Sequence, residues 1–328
     1  MTWVVWRQYR VTAAIAAALL AALAILLLIT GLQVANDYHN ALKACTASDT
    51  CGNLAGTLNL GANPGNAFVS LSIGIPAILG LFWGAPMVAR ELETGTVNFG
   101  WTQSVTRWRW LAAKTGWLLL GAALWGGAVA ALVTWWSGPE NALNQDRFNL
   151  NVFDVQGVVP VGYAVFAVAL GIAAGTLVRR MLPALAITLG VFVAVRLVIA
   201  NYLRPHYMTA LALTQRVGGT LTPKGAYWGL GSGITTASGA AIPQSSGGPM
   251  IGLGGVAIPI PAACRGLMAP GQVQRVLSCI GAQGYREYTT YQPASRYWPF
   301  QFIEAGIFLA LAAALVAVTF VILRRRDA

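Results

Sequence analysis

Residues Val11–Val34 read VTAAIAAALLAALAILLLITGLQV, a run without one charged side chain. A bilayer hydrocarbon core about 30 Å thick is crossed by roughly 20 helical residues. The stretch is therefore long enough to span a membrane and too long for the apolar core of a cleavable signal. No small-residue cleavage site follows it, so the span is expected to stay in the mature chain. Five further stretches meet the same length test: Asn66–Val88, Thr115–Trp136, Gly157–Val178, Leu182–Asn201 and Phe300–Leu323. Only Arg179, Arg180 and Met181 separate the fourth from the fifth, and Pro183 suits a first helical turn, which predicts a tight helical hairpin. The fold class read here is an all-α polytopic membrane protein with six transmembrane helices.

Composition agrees. Of 328 residues, 56% are hydrophobic and 9% charged, where a soluble domain carries about a quarter charged. Lipid solvates apolar faces directly, so so few charges suffice only in a bilayer. The formal charge of +11 would point to nucleic acid on a soluble basic domain. Here the basic residues sit at the ends of apolar runs, where they anchor to headgroups and set topology, and no nucleic-acid partner is expected.

With a cytoplasmic N-terminus, one side collects Arg7, Arg10, Arg90, Arg107, Arg109, Lys114, Arg179, Arg180, Arg324, Arg325 and Arg326. The short loops opposite hold only Lys43 and Arg147. Both termini are thus expected inside. All four cysteines, Cys45, Cys51, Cys264 and Cys279, then fall outside, where oxidation is possible. Four cysteines permit three pairings; Cys45–Cys51 with Cys264–Cys279 keeps each bond within one loop. A metal site is not expected, since the C-x-x-C spacing is absent and the histidines are only His39 and His206.

Three regions follow. Residues 1–201 hold five spans and a cytoplasmic segment, 89–114; residues 202–298 form a large, disulfide-stabilised outer loop; residues 299–328 form the last span and a basic tail. Within the loop, His206–Val217 reads as a short helix and Gly225–Pro261 as irregular chain rich in glycine, serine and proline. Gln272–Ile280 places Val273, Val276, Leu277 and Ile280 on one face of an amphipathic helix packed on the span tops. Inside the spans, Gly80/Gly84 and Gly171/Gly175 permit close helix approach, either within one subunit or at a dimer seam. Arg196 and Glu304, near the outer ends of the fifth and sixth spans, are expected to pair in the bundle interior or to line the exit of a substrate path, with snorkelling to headgroups the alternative.

The segment between the second and third spans contains Arg90-Glu91-Leu92-Glu93-Thr94-Gly95-Thr96, then Val105-Thr106-Arg107 and, seven residues on, Lys114. One Glu or Arg there would be an ordinary solvated loop residue. Together the spacing R-E-x-E-x-G-T, V-[ST]-R and lysine resembles permease subunits of the type-2 ABC exporter class. The resemblance implies a cytoplasmic coupling helix in which Arg90, Glu91, Glu93, Gly95, Thr96, Val105, Thr106, Arg107 and Lys114 contact an ATP-binding subunit. Trp101–Arg107, Tyr291–Arg296 and Trp298–Gln301 are similar to an actinobacterial branch of that class. The resemblance further implies two ATP-binding subunits, a second permease copy or related permease, and a multi-pass place in a bacterial plasma membrane.

No G-x-x-x-x-G-K-[ST] phosphate loop occurs in the sequence. The chain is therefore expected to be no enzyme itself and to hold no cofactor, with ATP and magnesium on the partner subunit. The implied function is export of a hydrophobic or amphipathic compound (drug, peptide antibiotic or lipid) by alternating access. A stand-alone membrane sensor or immunity protein, binding an extracellular ligand through residues 202–298, is the alternative. An intramembrane hydrolase is disfavoured because Gly231-Ser232-Gly233 has no histidine at recognisable spacing. Few acids lie within the spans, which disfavours an ion-coupled carrier.

Overall fold

The computed structural model describes residues 2–48, 64–93, 107–139, 141, 147–148, 150–217, 227–236, 239, 250–253, 256–267 and 272–325. Six of its helices are long and apolar enough to cross a membrane. The chain divides into two compact units, Met1–Arg204 with Trp298–Ala328, and Pro205–Tyr297.

In the first unit, α1 runs Thr2–Ser48, well past the apolar run. Its extension has no helix breaker after Gly31, and His39 Nδ1 lies 2.7 Å from the Ala35 carbonyl one turn back. Cys45, expected in a loop, thus belongs to α1, while Cys51 lies outside the described residues. The second span is built in pieces: α2 (Pro64–Leu71), a tight 3-10 turn (Ser72–Gly74), α3 (Ile75–Leu79), a wide π turn (Gly80–Gly84) and α4 (Ala85–Glu93). Pro76 has no N–H for the Ser72 carbonyl, and the Ile75 N–H takes that acceptor instead. The third span is α5 (Arg107–Trp136), which begins eight residues before the expected Thr115, so Arg107–Lys114 forms its first turns.

A short turn, α6 (Leu150–Phe153), leads to α7 (Val159–Val178), apolar on all sides and buried over nearly its whole length. A helix hydrophobic all round belongs in the centre, and α7 is packed by α4, α5 and α8 (Met181–Val198). Where the π turn crosses α7, backbones touch. A methyl group on Gly84 would lie 2.5 Å from the Val168 carbonyl oxygen, and one on Gly171 2.5 Å from that of Gly80. The glycine pairs thus pack against each other within this chain. The α7–α8 hairpin closes over two residues: Arg179 at φ 58, its N–H bonded to the Gly175 carbonyl, then extended Arg180. After α8, a π turn (Ile199–Leu203) and a 3-10 turn (Arg204–His206) end the span, and α10 (Tyr297–Arg325) is the sixth.

The second unit is not helical throughout, which corrects the all-α expectation. Residues 206–217 form no helix: after the Arg204–His206 turn, β1 (Leu211–Arg216) pairs with β5 (Arg286–Pro293). Nor is 225–261 all irregular, for β2 (Tyr227–Thr235) pairs along the other side of β5, giving an antiparallel sheet in the order β1-β5-β2. The Tyr and Thr residues of β5 favour strand, and the Tyr288 hydroxyl lies where a Gly233 side chain would be, 2.5 Å from an added methyl. β3 (Met250–Leu253) and β4 (Val256–Pro259) form a separate hairpin. The amphipathic helix, α9 (Val273–Ala282), buries Val276, Leu277 and Ile280 against Val217, Ile234 and Ile260 of its own unit, and leaves Val273 exposed. Cys264 and Cys279, Cα atoms 5.9 Å apart and separated by 15 residues, are disulfide-bonded into that core. Closing a loop of this length removes about 3 kcal/mol of unfolded-chain entropy in the chain-entropy model.

Overpacking the α3–α4/α7 contact should be costly. Gly84→Ala is expected to lower stability by about 1–3 kcal/mol, read as a lower melting temperature of the detergent-purified chain. Gly190→Ala, whose methyl meets nothing within 4 Å on α8, should leave that temperature unchanged or slightly raised.

Candidate functional site

Two polar constellations stand out against the apolar spans. The larger is buried where α6, α7, α8 and α10 meet. Arg204, just after the π turn of the fifth span, is 1% exposed. Its Nε donates to Glu304 Oε2 at 2.8 Å, and its Nη2 donates to Glu304 Oε1 at 2.6 Å and to Asp154 Oδ1 at 2.5 Å. Arg196, two turns earlier, donates from Nη2 to Asp154 Oδ2 at 2.7 Å and from Nη1 to the Ile73 carbonyl at 2.8 Å. The Tyr163 hydroxyl donates to Glu304 Oε1 at 2.5 Å. Two guanidiniums therefore meet two carboxylates, and every carboxylate oxygen accepts a hydrogen bond.

Aromatic faces complete the enclosure. The Arg204 guanidinium lies 4.3 Å from the Phe153 ring centroid and that of Arg196 4.9 Å from Tyr163, both within cation–π range. Beside them, fully buried Gln301 of α10 caps α7 from another span. Its Oε1 accepts the Val158 and Val159 N–H groups at 3.0 Å each, and its Nε2 donates to the Phe153 carbonyl at 2.9 Å. The first N–H groups of a helix have no partner within it, and Gln301 supplies one.

Arg196 and Glu304 thus enter one network without the direct pair that the sequence led us to expect; Asp154 and Arg204 stand between them. Asp154 and Arg204 flank spans and so read as loop residues, while Tyr163 and Gln301 carry no charge to mark them within theirs. One signal was available: charges left unmatched at adjoining span ends. No group of three or more metal-ligating side chains occurs among the described residues. The saturated cluster is suited to fastening helices together rather than to chemistry on a ligand.

The second constellation is at the hairpin end. Arg90 and Glu93 lie exposed on α4, and the Glu93 carboxylate accepts the Met181 N–H at 3.1 Å. Glu91 lies on the same helix and Arg107 opens α5. Lys114 is buried at 3% exposure, one turn after buried Leu111. Exposed Trp108 rests against Phe320 of the last span, ring centroids 4.2 Å apart. Gly95, Thr96, Val105 and Thr106 lie outside the described residues.

With six helices long and apolar enough to cross a bilayer, the chain is a multi-pass membrane protein. A family described as ABC-2 membrane transporter related matches residues 17–204, more than half of the chain, and the chain belongs to that family. Membership implies a transporter complex with an ATP-binding partner. No curated protein and no solved structure matches significantly.

Arg204→Leu would leave Asp154 and Glu304 buried with one counter-charge, a loss expected to cost about 3–5 kcal/mol. Arg204→Lys should recover only part of it, because one ammonium cannot reproduce a guanidinium that donates in two directions. Thermal unfolding of the purified chain measures both, and a Leu variant that melts like wild type would show that the cluster is not a clamp.

Proposed function

We propose that this chain is the membrane-spanning subunit of an ATP-driven exporter in a bacterial plasma membrane, of the actinobacterial branch. The reading places the N- and C-termini in the cytoplasm and two ATP-binding subunits, carrying ATP and magnesium, beneath two permeases, identical or related. The chain performs no catalysis. Its cargo is a hydrophobic or amphipathic compound such as a drug, peptide antibiotic or lipid. The observation that carries the reading is the family match across residues 17–204, which contains the R-E-x-E-x-G-T segment. The missing phosphate loop supports a separate motor subunit, and the apolar span surfaces support an amphipathic cargo over a small polar solute.

The sequence singles out residues 89–114 as the coupling surface. A short segment tied directly to two spans suits a part that a soluble motor pushes on. The sensor or immunity reading draws support from one observation, the β1-β5-β2 sheet and disulfide-bonded α9 within Pro205–Tyr297, a folded element of the kind that presents a ligand surface.

Co-purification in detergent with the ATPase of the adjacent reading frame tests the reading. Wild type is expected to capture it stoichiometrically, and charge reversal at Arg90, Glu91 and Arg107 to abolish capture. A folded wild type that captures nothing would favour the sensor.

A further inference from the structure

The N-terminus of α8 receives its acceptor from outside its own helix. Met181 is the first residue of α8, so its N–H has no carbonyl one turn back within that helix. The preceding residue, Arg180, makes no side-chain cap bond. The acceptor is the carboxylate of Glu93, the last residue of α4 and 88 positions earlier in the chain. A negative charge there also matches the positive end of the α8 dipole.

The surroundings leave this contact little slack. Ala85 and Ala89 of α4 pack against Ala174 of α7 and Ala184 of α8, with Leu185 beside them. A methyl on Gly175 would lie 2.7 Å from the Ala85 carbonyl oxygen, so the α4 and α7 backbones are in contact. The hairpin that follows is stiff: one left-handed residue, Arg179, one extended residue, Arg180, and a bond from the Ala184 N–H back to the Arg180 carbonyl at 3.2 Å. At its far end α8 carries Arg196, which reaches both Asp154 and the Ile73 carbonyl.

We propose that Glu93 is a positioning residue that fastens the end of the second span to the α7–α8 hairpin through the Met181 N–H, so that α8 moves with the segment the ATP-binding partner drives. The proposal rests on the permease reading above and adds to it the element that the driven segment pulls. Displacement of α4 reaches α7 through backbone packing and reaches α8 through Glu93 together with the Ala85/Ala89–Ala184 contact. From α8 it is passed to the buried cluster by Arg196.

The donor can be removed without disturbing the chain. Arg180 has φ −127 and ψ 133, the conformation a residue before proline adopts, and proline suits a first helical position. Met181→Pro therefore deletes the N–H while keeping the backbone conformation. Each variant is purified with the ATP-binding subunit, and Mg·ATP hydrolysis by the complex is compared with hydrolysis by that subunit alone. Glu93→Ala and Met181→Pro are expected to keep stoichiometric capture while the permease-dependent change in hydrolysis falls by about threefold to tenfold. Glu93→Gln, which keeps an acceptor oxygen, should stay within about twofold of wild type, and the double variant Glu93→Ala/Met181→Pro should fall no further than either single. In the permease alone, Glu93→Ala should speed hydrogen exchange at the Met181 amide. Unchanged hydrolysis in Glu93→Ala at equal capture, or losses that add in the double variant, would overturn the proposal and leave Glu93 a plain helix cap. Absence of capture by wild type would instead overturn the permease reading, and the proposal with it.

Discussion

A guanidinium buried among packed helices must find a carboxylate, and Arg204 finds two. Insertion of a lone charge at mid-bilayer costs roughly 2.5–3.5 kcal/mol on translocon scales, and an unsatisfied buried ion costs more once the helices have closed round it. Arg204, Arg196, Asp154 and Glu304 solve this as a neutral set. Its members come from the turn before the fourth span, the end of the fifth and the start of the sixth, and Arg196 adds the broken stretch of the second span through the Ile73 carbonyl. Helices that could otherwise slide or rotate in lipid, where no hydrophobic force holds them together, are held at one depth and one azimuth.

The irregular turns serve that geometry. The π turn at Ile199–Leu203 slows the rotation of the helix, so Arg196 and Arg204 reach the same carboxylate of Asp154. The 3-10 turn at Ser72–Gly74 precedes Pro76, and its middle residue, Ile73, lends its carbonyl to Arg196. At the other end of α7 the polar fastening is replaced by contact of small residues, the glycines and alanines of α4, α7 and α8, with the Glu93–Met181 hydrogen bond beside them. One end of the bundle is held by charge and the other by fit.

Much of this was legible in the chain, and what was not has physical causes. Span positions are fixed by composition over some twenty residues, a signal too long to be ambiguous. The hairpin was readable from two arginines and a nearby proline, and the buried face of α9 from its spacing. The β1-β5-β2 sheet was hidden because β2 is interrupted by glycines and the strands pair across dozens of residues, so no local window contains the pairing. The charge cluster was half visible. A linear reading gives each charge a depth but not a direction, so Arg196 and Glu304 were matched by depth while their true partners, Asp154 and Arg204, stood at span borders.

Order of synthesis gives the Arg204–Glu304 bond a further meaning. Chains emerge N-terminus first, so Asp154, Arg196 and Arg204 enter the membrane together while Glu304, 100 residues after Arg204, is still to be made. Until then the set carries two positive charges against one negative, and the buried guanidinium has a single carboxylate. Only the last span brings the missing anion. A chain that stops short, or whose sixth helix goes in the wrong way, is left with an exposed electrostatic fault in the bilayer, a mark by which membrane proteolysis can tell an unfinished molecule from a finished one.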